Sequence, residues 1–72
     1  MSSARLLFRR LADAGIADAA LALAFTYDPV YITKHNLIGI AADETKARDW
    51  YHRASQLGST EASRILAQTT AR

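Results

Sequence analysis

An internal repeat with a fixed offset of 43 residues constrains the fold of this chain more than any other feature. Gly15 and Gly58 are one matched pair, and each follows a segment that begins with Ala-Arg, at Ala4 and at Ala47. The pairs downstream of the glycines are Asp18 with Glu61, Ala19 with Ala62, Leu23 with Leu66 and Ala24 with Ala67. A period of about 40–47 residues is typical of helical repeat proteins. Because such arrays mostly form extended binding surfaces, the repeat favours binding over catalysis.

Length and composition narrow the fold class and the possible partners. A chain of 72 residues forms one domain at most. It has no cysteine, which excludes disulfides and thiolate metal sites. The net charge of +2 comes from 9 Lys+Arg and 7 Asp+Glu that are interspersed, so no nucleic-acid partner is predicted. An alanine-rich chain with only 3 glycines favours helices.

The sequence predicts no direct membrane insertion. Its longest apolar stretch, residues 14–25, is interrupted by Asp18 and is shorter than the roughly 20 residues that a span needs. Three arginines precede this stretch and resemble the start of a targeting peptide, but the same segment matches the internal repeat and therefore belongs to the fold. The compartment is left open: a full-length chain would be cytoplasmic, whereas an excised domain could be periplasmic.

Capping and turn signals predict four main helices and one short helix. The predicted ranges are about 2–14, 16–27, 29–35, 44–57 and 60–68, and residues 69–72 are expected to fray. Ser2 or Ser3 would cap the first helix. The other predicted N-caps are Asp28 (with Pro29 at the first helical position), Asp43 and Ser59. The predicted left-handed residues after helix ends are Gly15, Asn36 and Gly58.

Helical spacing predicts which faces are buried. In the third main helix, one face carries Ala47, Trp50, Tyr51 and Ala54. The corresponding face of the first helix carries Ala4, Leu7, Phe8 and Leu11. Both faces are expected to be core, with large side chains packed against the small Ala19 and Ala62. The second helix is apolar on two sides, because Leu21 and Phe25 lie nearly opposite the rest of its apolar residues.

The order and spacing of these residues resemble the Sel1-like repeat, a relative of the tetratricopeptide repeat. The signature residues are Gly15, Ala19, Leu23, Tyr27, Gly39, Lys46, Ala47, Trp50, Tyr51, Gly58, Ala62 and Leu66. The resemblance implies an all-α stack of antiparallel helix hairpins, with four helices plus a short one in an insert. Residues 1–72 would form one module, in which a complete repeat at about 16–57 is flanked by half repeats. The family's usual role implies a non-catalytic protein–protein interaction or scaffold module.

The chain departs from the family pattern in two places. Ala24 replaces a small glycine that the family usually has, and the segment Asp28–Ile38 is longer than the ordinary turn within a repeat. The sequence Thr-Tyr-Asp-Pro at residues 26–29 resembles a variant found in short bacterial modules of this kind.

No pattern of reactive or metal-binding residues is present in the sequence. His35 and His52 are the only histidines, and neither has a partner at metal-ligand spacing. Asp43 and Glu44 are adjacent at a helix start, where capping explains them better than paired acid–base chemistry. With no phosphate-binding loop and no nucleophile motif, we expect no enzyme activity, no metal and no cofactor.

The insert is the expected source of specificity. Its apolar residues could fold back over Leu21 and Phe25 and complete the core, or part of the set could stay exposed as a docking patch. The candidate partner-binding residues are Phe25, Tyr31 and Leu37. The predicted partner is another protein, and a homodimer would compensate for the small number of repeats. The alternative function is a structural terminal or self-association segment of a larger envelope-associated or repeat protein.

Overall fold

The structure is a computed structural model that describes residues 2–70, with the side chains of residues 4–68. The described residues form five α-helices and no strand. They are α1 (Ser2–Asp13), α2 (Ala17–Tyr27), α3 (Pro29–Lys34), α4 (Glu44–Gln56) and α5 (Thr60–Thr70). The all-α class and the order of four main helices and one short helix are therefore confirmed.

The predicted helix bounds agree closely with the structure except at the last helix. Fraying was predicted from residue 69, but α5 continues to Thr70. Residues 71 and 72 lie outside the described part of the chain. The predicted cap at Ser2 or Ser3 also concerns side chains that are not described, and both residues lie within α1.

Three predicted helix caps are confirmed by hydrogen bonds. Asp28 Oδ1 accepts from the backbone N–H of Val30 at 2.9 Å, and Pro29 occupies the first turn of α3. At the start of α4, Asp43 Oδ1 accepts from the N–H of Lys46 at 3.1 Å. The hydroxyl of Ser59 accepts from the N–H of Ala62, also at 3.1 Å. Each of these bonds satisfies a donor that the helix itself leaves unpaired.

The internal repeat is also a repeat of backbone geometry. In the turn between α1 and α2, the N–H groups of residues 14, 15 and 16 donate to the carbonyls of residues 10, 12 and 11. In the turn between α4 and α5, residues 57, 58 and 59 donate to residues 53, 55 and 54, which is the same pattern 43 residues later. Gly15 and Gly58 have φ values of 93° and 110°, in the left-handed region that glycine adopts at little cost. Asn36 also has the predicted positive φ, 52°.

The core consists mainly of alanines centred on α2. This helix lies between α1 and α4, and α5 packs on α4. The buried core residues are Ala12, Ala19, Ala20, Leu23, Ala24, Ala47, Tyr51, Ala54 and Ala62. Small side chains let the helix axes approach closely. The core is therefore formed by closely packed helix backbones, and only a few large side chains are buried in it. Among the signature residues, Trp50, Tyr27 and Leu66 are half-buried and pack against this core.

The predicted buried face of α1 is wrong for two of its four residues. Leu7 is 56% exposed and Leu11 is 36% exposed, whereas Phe8 is half-buried and Ala12 is buried. The repeat made Leu7 and Leu11 equivalent to residues on α4, but α4 packs against both α2 and α5. Within the described residues, α1 packs mainly against α2, so a second face of this helix stays open.

Arg5 has a structural role that the sequence did not predict. No sequence pattern assigned a contact to Arg5, but its Nε donates to Thr26 Oγ1 at 3.2 Å. Its Nη2 donates to the carbonyl oxygens of Thr26 at 2.6 Å and Ala41 at 3.0 Å. The guanidinium also lies over the ring of Tyr27, 4.0 Å from the centroid, and Lys46 Nζ lies 5.4 Å from the same centroid. Arg5 thus ties α1 to the end of α2 and to the connector before α4.

Replacing Arg5 should destabilise the fold, because one guanidinium makes all of these bonds. We expect Arg5→Ala to lower the free energy of unfolding by about 2 kcal/mol, the usual loss for hydrogen bonds to a charged group. Arg9→Ala is the matched control, since Arg9 is an exposed residue one turn further along the same helix. This control should change stability by less than about 0.5 kcal/mol. Urea denaturation of both variants makes the comparison, and equal stabilities would contradict the role of Arg5.

Candidate binding groove

A groove of about 650 Å³ opens on one side of the helices, between α3 and α5. Its floor contains three aromatic rings, from Phe25, Tyr31 and Tyr51. The charged residues at its edge are Lys34, Glu44, Arg48 and Glu61, and His35 also lines it. We call this feature the aromatic groove. Concave sites with an apolar lining and a few polar groups are the usual form of ligand and peptide sites.

The aromatic rings form a connected cluster across three helices. Phe25 and Tyr31 are stacked, with centroids 4.4 Å apart and planes 12° from parallel. Tyr51 meets Phe25 edge-on, with centroids 6.0 Å apart. The ring of His35 lies 4.3 Å from that of Tyr31 at the outer end of α3. Offset-stacked and edge-to-face pairs are the favoured aromatic geometries, so the cluster holds the floor of the groove in a defined shape.

Asp28 joins the floor of the groove to the fold. One carboxylate oxygen caps α3, and the other accepts a hydrogen bond from the hydroxyl of Tyr51, with 2.5 Å between the two oxygens. The backbone N–H of Asp28 donates to the carbonyl of Ala24 at 3.0 Å. A single residue therefore ends α2, begins α3 and links both to α4. This arrangement positions Tyr31 of α3 over Phe25 of α2.

The Thr-Tyr-Asp-Pro sequence at residues 26–29 has a structural explanation at each position. Thr26 receives the Arg5 hydrogen bonds, and its hydroxyl donates to the Leu23 carbonyl at 2.7 Å. The ring of Tyr27 lies under two cations, and its carbonyl accepts from the N–H of Asp43 at 2.8 Å. Asp28 and Pro29 start α3. The four residues together fix how the insert leaves α2 and where α4 begins.

The hydroxyl of Tyr51 acts as a hydrogen-bond donor to Asp28. Burial raises the pKa of its phenol well above the usual value, and the hydrogen bond to Asp28 adds to this shift. The hydroxyl therefore keeps its proton at neutral pH, and its role in the groove is to hold Asp28 in place. No group of His, Asp and Glu among the described residues could hold a metal ion.

The raised pKa of Tyr51 predicts a loss of stability at alkaline pH. In the unfolded chain, tyrosine loses its proton near a pKa of about 10, whereas the native state holds the proton to higher pH. Above about pH 10 the unfolded state binds fewer protons than the native state, so the free energy of unfolding falls as pH rises. The melting temperature of the native chain should therefore fall more steeply between about pH 9 and about pH 11 than that of Tyr51→Phe. Parallel curves for the two proteins would contradict this assignment.

The edge of the groove carries charged side chains of both signs, and the ion pairs that they form are weak. Arg48 and Glu44 form an exposed ion pair at 3.7 Å, and Arg64 and Glu61 form another at 3.8 Å. Exposed pairs of this kind contribute about 0–1 kcal/mol. Lys34 is also exposed at the end of α3. These side chains can exchange their present contacts for contacts with a bound segment at little energetic cost.

The structure brings together two of the three predicted partner-binding residues. Phe25 and Tyr31 stack in the groove, but Leu37 does not line it. The N–H of Leu37 donates to the carbonyl of Ile32, and its side chain is 37% exposed after α3 has ended. The insert therefore folds back over Phe25 through Tyr31, while Leu37 and Ile38 stay outside the groove.

The groove residues that α4 contributes were not predicted as partner-binding residues. Glu44, Ala47, Arg48 and Tyr51 all line the groove and follow the i, i+3, i+4, i+7 spacing of one helix face. Ala47 and Tyr51 were assigned to the core, which their burial confirms. The missed signal was that the face of α4 that carries Ala47 and Tyr51 also carries two charged residues, Glu44 and Arg48, at the edge of the groove. Asp28 was predicted only as a helix cap.

Comparisons with protein-family models, with curated proteins and with solved structures find no match to this chain. The similarity to the Sel1-like repeat therefore stays a prediction that depends on the residues quoted for it. No helix within residues 2–70 is both long and apolar enough to cross a membrane.

Proposed function

We propose that this chain is a non-catalytic interaction module, built from Sel1-like repeats, that binds a short segment of another protein in the aromatic groove. The observation that carries the proposal is the stacked pair of Phe25 and Tyr31 at the floor of the groove. Both rings are half-buried, so each has packed surface that fixes it and open surface that a ligand can cover.

The groove has the features of a prepared binding surface. Tyrosine is enriched at protein interfaces because it offers a large, rigid contact area and a polar end. Tyr31 lies on a helix whose first turn is capped by Asp28, and Asp28 is itself held by Tyr51. A surface that is already ordered loses little conformational entropy on binding, which favours affinity.

The chemistry of the groove suggests what it accepts. An aliphatic or aromatic side chain of the partner would lie on the ring cluster. The charges at the edge, Lys34 and Arg48 against Glu44 and Glu61, are nearly balanced, so a segment with flanking residues of both signs fits better than a strongly acidic or basic one. The expected ligand is therefore a short peptide with one or two apolar anchors.

Selection of peptides from a displayed random library tests the proposal. We expect enrichment of sequences with an apolar anchor, and micromolar binding when single peptides are measured by calorimetry. Tyr31→Ala should abolish binding, and Arg48→Glu should weaken peptides that carry an anionic neighbour, because it replaces the attracting cation with a repelling anion. Leu37→Ala is the control, because Leu37 is an apolar residue of the same insert that lies outside the groove.

Stability measurements make the peptide experiment decisive. Arg48 is exposed, so Arg48→Glu should melt close to the native chain and any loss of binding belongs to the groove. The proposal is wrong if no peptide is enriched. It is also wrong if enriched peptides bind Tyr31→Ala and the native chain equally well.

A structural or self-association role is the second candidate function, and a specific observation favours it. Leu6, Leu7 and Leu11 leave much of their apolar surface exposed on α1, on a helix that does not line the groove. Such a surface is typical of an interaction site. This role would suit a terminal segment of a larger repeat or envelope-associated protein, and it does not exclude peptide binding in the groove.

A further inference from the structure

α1 has an open apolar face whose equivalent on α4 is covered. Leu7 is 56% exposed and Leu11 is 36% exposed. At the repeat offset of 43 residues, their equivalents on α4 are Trp50 and Ala54. Ala54 is fully buried and Trp50 is half-buried against the core. We call the surface of Leu7 and Leu11 the α1 open face.

The chain itself shows what kind of helix covers such a face. On α4 the cover is α2, which contributes the fully buried Ala20 and Ala24 to the same core cluster. The repeat makes α5 the equivalent of α2, and the turn that precedes each of them has the same hydrogen-bond pattern. The equivalents of Ala20 and Ala24 on α5 are Ser63 and Ala67, and both are exposed. We call this pair the α5 open face.

Within residues 2–70, α1 therefore lacks a covering helix of the kind that α5 presents, and the α5 open face lacks a partner of the kind that α1 presents. We propose that copies of this chain stack head to tail, with the α5 open face of one copy against the α1 open face of the next. The contact would continue the α2–α4 packing across the boundary between copies. Ser63 and Ala67 are small, as Ala20 and Ala24 are, so they allow α1 of the neighbouring copy to approach closely.

This contact would leave the aromatic groove free. Glu61, Ile65 and Gln68 line the groove, and at 100° per residue they lie on the opposite side of α5 from Ser63 and Ala67. The hydroxyl of Ser63 also already has a partner in its own chain, the hydroxyl of Ser55 at 2.5 Å. Stacking and peptide binding can thus be tested separately, and the failure of one does not imply the failure of the other.

A head-to-tail contact has a definite signature in solution. Its two surfaces are different, so every added copy presents a new open end, and association does not stop at a dimer unless a ring closes. Sedimentation velocity of the native chain should give a mass that rises above the 7.9 kDa monomer as concentration increases. Leu7→Glu and Ala67→Glu should each give a monomer at every concentration.

Mixing the two variants gives the sharpest test. Leu7→Glu retains a working α5 open face, and Ala67→Glu retains a working α1 open face, so together they can form one intact contact. We expect the mixture to form a 1:1 heterodimer at twice the monomer mass and nothing larger. Gln56→Glu is the control: it places the same new charge at an exposed position on α4 and should associate as the native chain does.

Three results would overturn the proposal. The native chain could stay monomeric at every concentration. Leu7→Glu could dissociate the assembly while Ala67→Glu leaves it intact, which would indicate a symmetric contact between two α1 helices. The mixture of variants could also remain monomeric. Circular dichroism verifies that each variant is folded, and Leu7→Gln and Ala67→Gln replace any variant that has lost helicity.

Discussion

Leu23→Ala is expected to remove most of the stability of this chain. Leu23 is 2% exposed and is the largest of the fully buried side chains among residues 4–68. The other buried apolar residues are mainly alanines, whose short side chains cannot fill the space that truncation would leave. The expected loss is about 2–5 kcal/mol, the range for truncating a buried leucine. A domain of this length is stable by only roughly 4–11 kcal/mol, so the variant should be partly unfolded at 37 °C.

Leu6→Ala provides the matched control for this experiment. The chemical change is identical, but Leu6 is 52% exposed on α1. Thermal unfolding followed by circular dichroism should show a melting temperature lowered by at least about 10 °C for Leu23→Ala and by only a few degrees for the control. Similar melting temperatures for the two variants would mean that the core is not centred on α2.

Asp28→Ala is expected to have the second largest effect, because it removes two interactions at once. Loss of the cap of α3 costs about 1 kcal/mol. The buried hydroxyl of Tyr51 loses its acceptor, which costs about 1–3 kcal/mol more. The free energy of unfolding should therefore fall by about 2–4 kcal/mol. Asp49→Ala is the control, since Asp49 is an exposed aspartate in the middle of α4 and should change stability by less than about 0.5 kcal/mol.

A double-mutant cycle separates the two contributions of Asp28. In the Tyr51→Phe background there is no hydroxyl left to satisfy, so Asp28→Ala should cost only the cap, about 1 kcal/mol. The coupling energy between the two positions would then measure the hydrogen bond itself. If Asp28→Ala costs the same in both backgrounds, the link between α3 and α4 does not contribute to stability.

The features that were predictable from the sequence are local ones. Asp43 and Ser59 lie within three residues of the N–H groups that they cap, so the pattern that predicts the cap contains both partners. The turns at Gly15 and Gly58 were predictable for the same reason. The repeat then gave the correct helix order, because two turns with the same sequence spacing adopt the same backbone hydrogen bonds.

The features that were missed depend on contacts between distant residues. Arg5 bonds to Thr26 and Ala41, which are 21 and 36 residues away, and no short pattern brings these positions together. Equivalence within the repeat also led to a wrong prediction of the buried face of α1. It predicted that Leu7 is buried because Trp50 packs on the core, but it took no account of the helix neighbours that differ between the two positions.

The candidate groove was half predictable. The apolar character of the insert pointed to Tyr31, and the second apolar side of α2 pointed to Phe25; the two rings stack as partners. Leu37 was chosen for the same apolar character, but the left-handed Asn36 turns the chain away from the groove before Leu37 is reached. Asp28 supports the groove because its second carboxylate oxygen accepts a hydrogen bond from Tyr51. This contact was not predictable, because it depends on where the fold places Tyr51.

Mapping a selected peptide by NMR tests the central claim most directly. A titration of the ¹⁵N-labelled chain should shift the backbone amides of α3 and of the first half of α4, with Tyr31 and Arg48 among the largest changes. The amides of α1 should stay unchanged, because that helix does not line the aromatic groove. Shifts confined to α1, with α3 and α4 unaffected, would contradict the assignment of the aromatic groove as the surface that binds another protein.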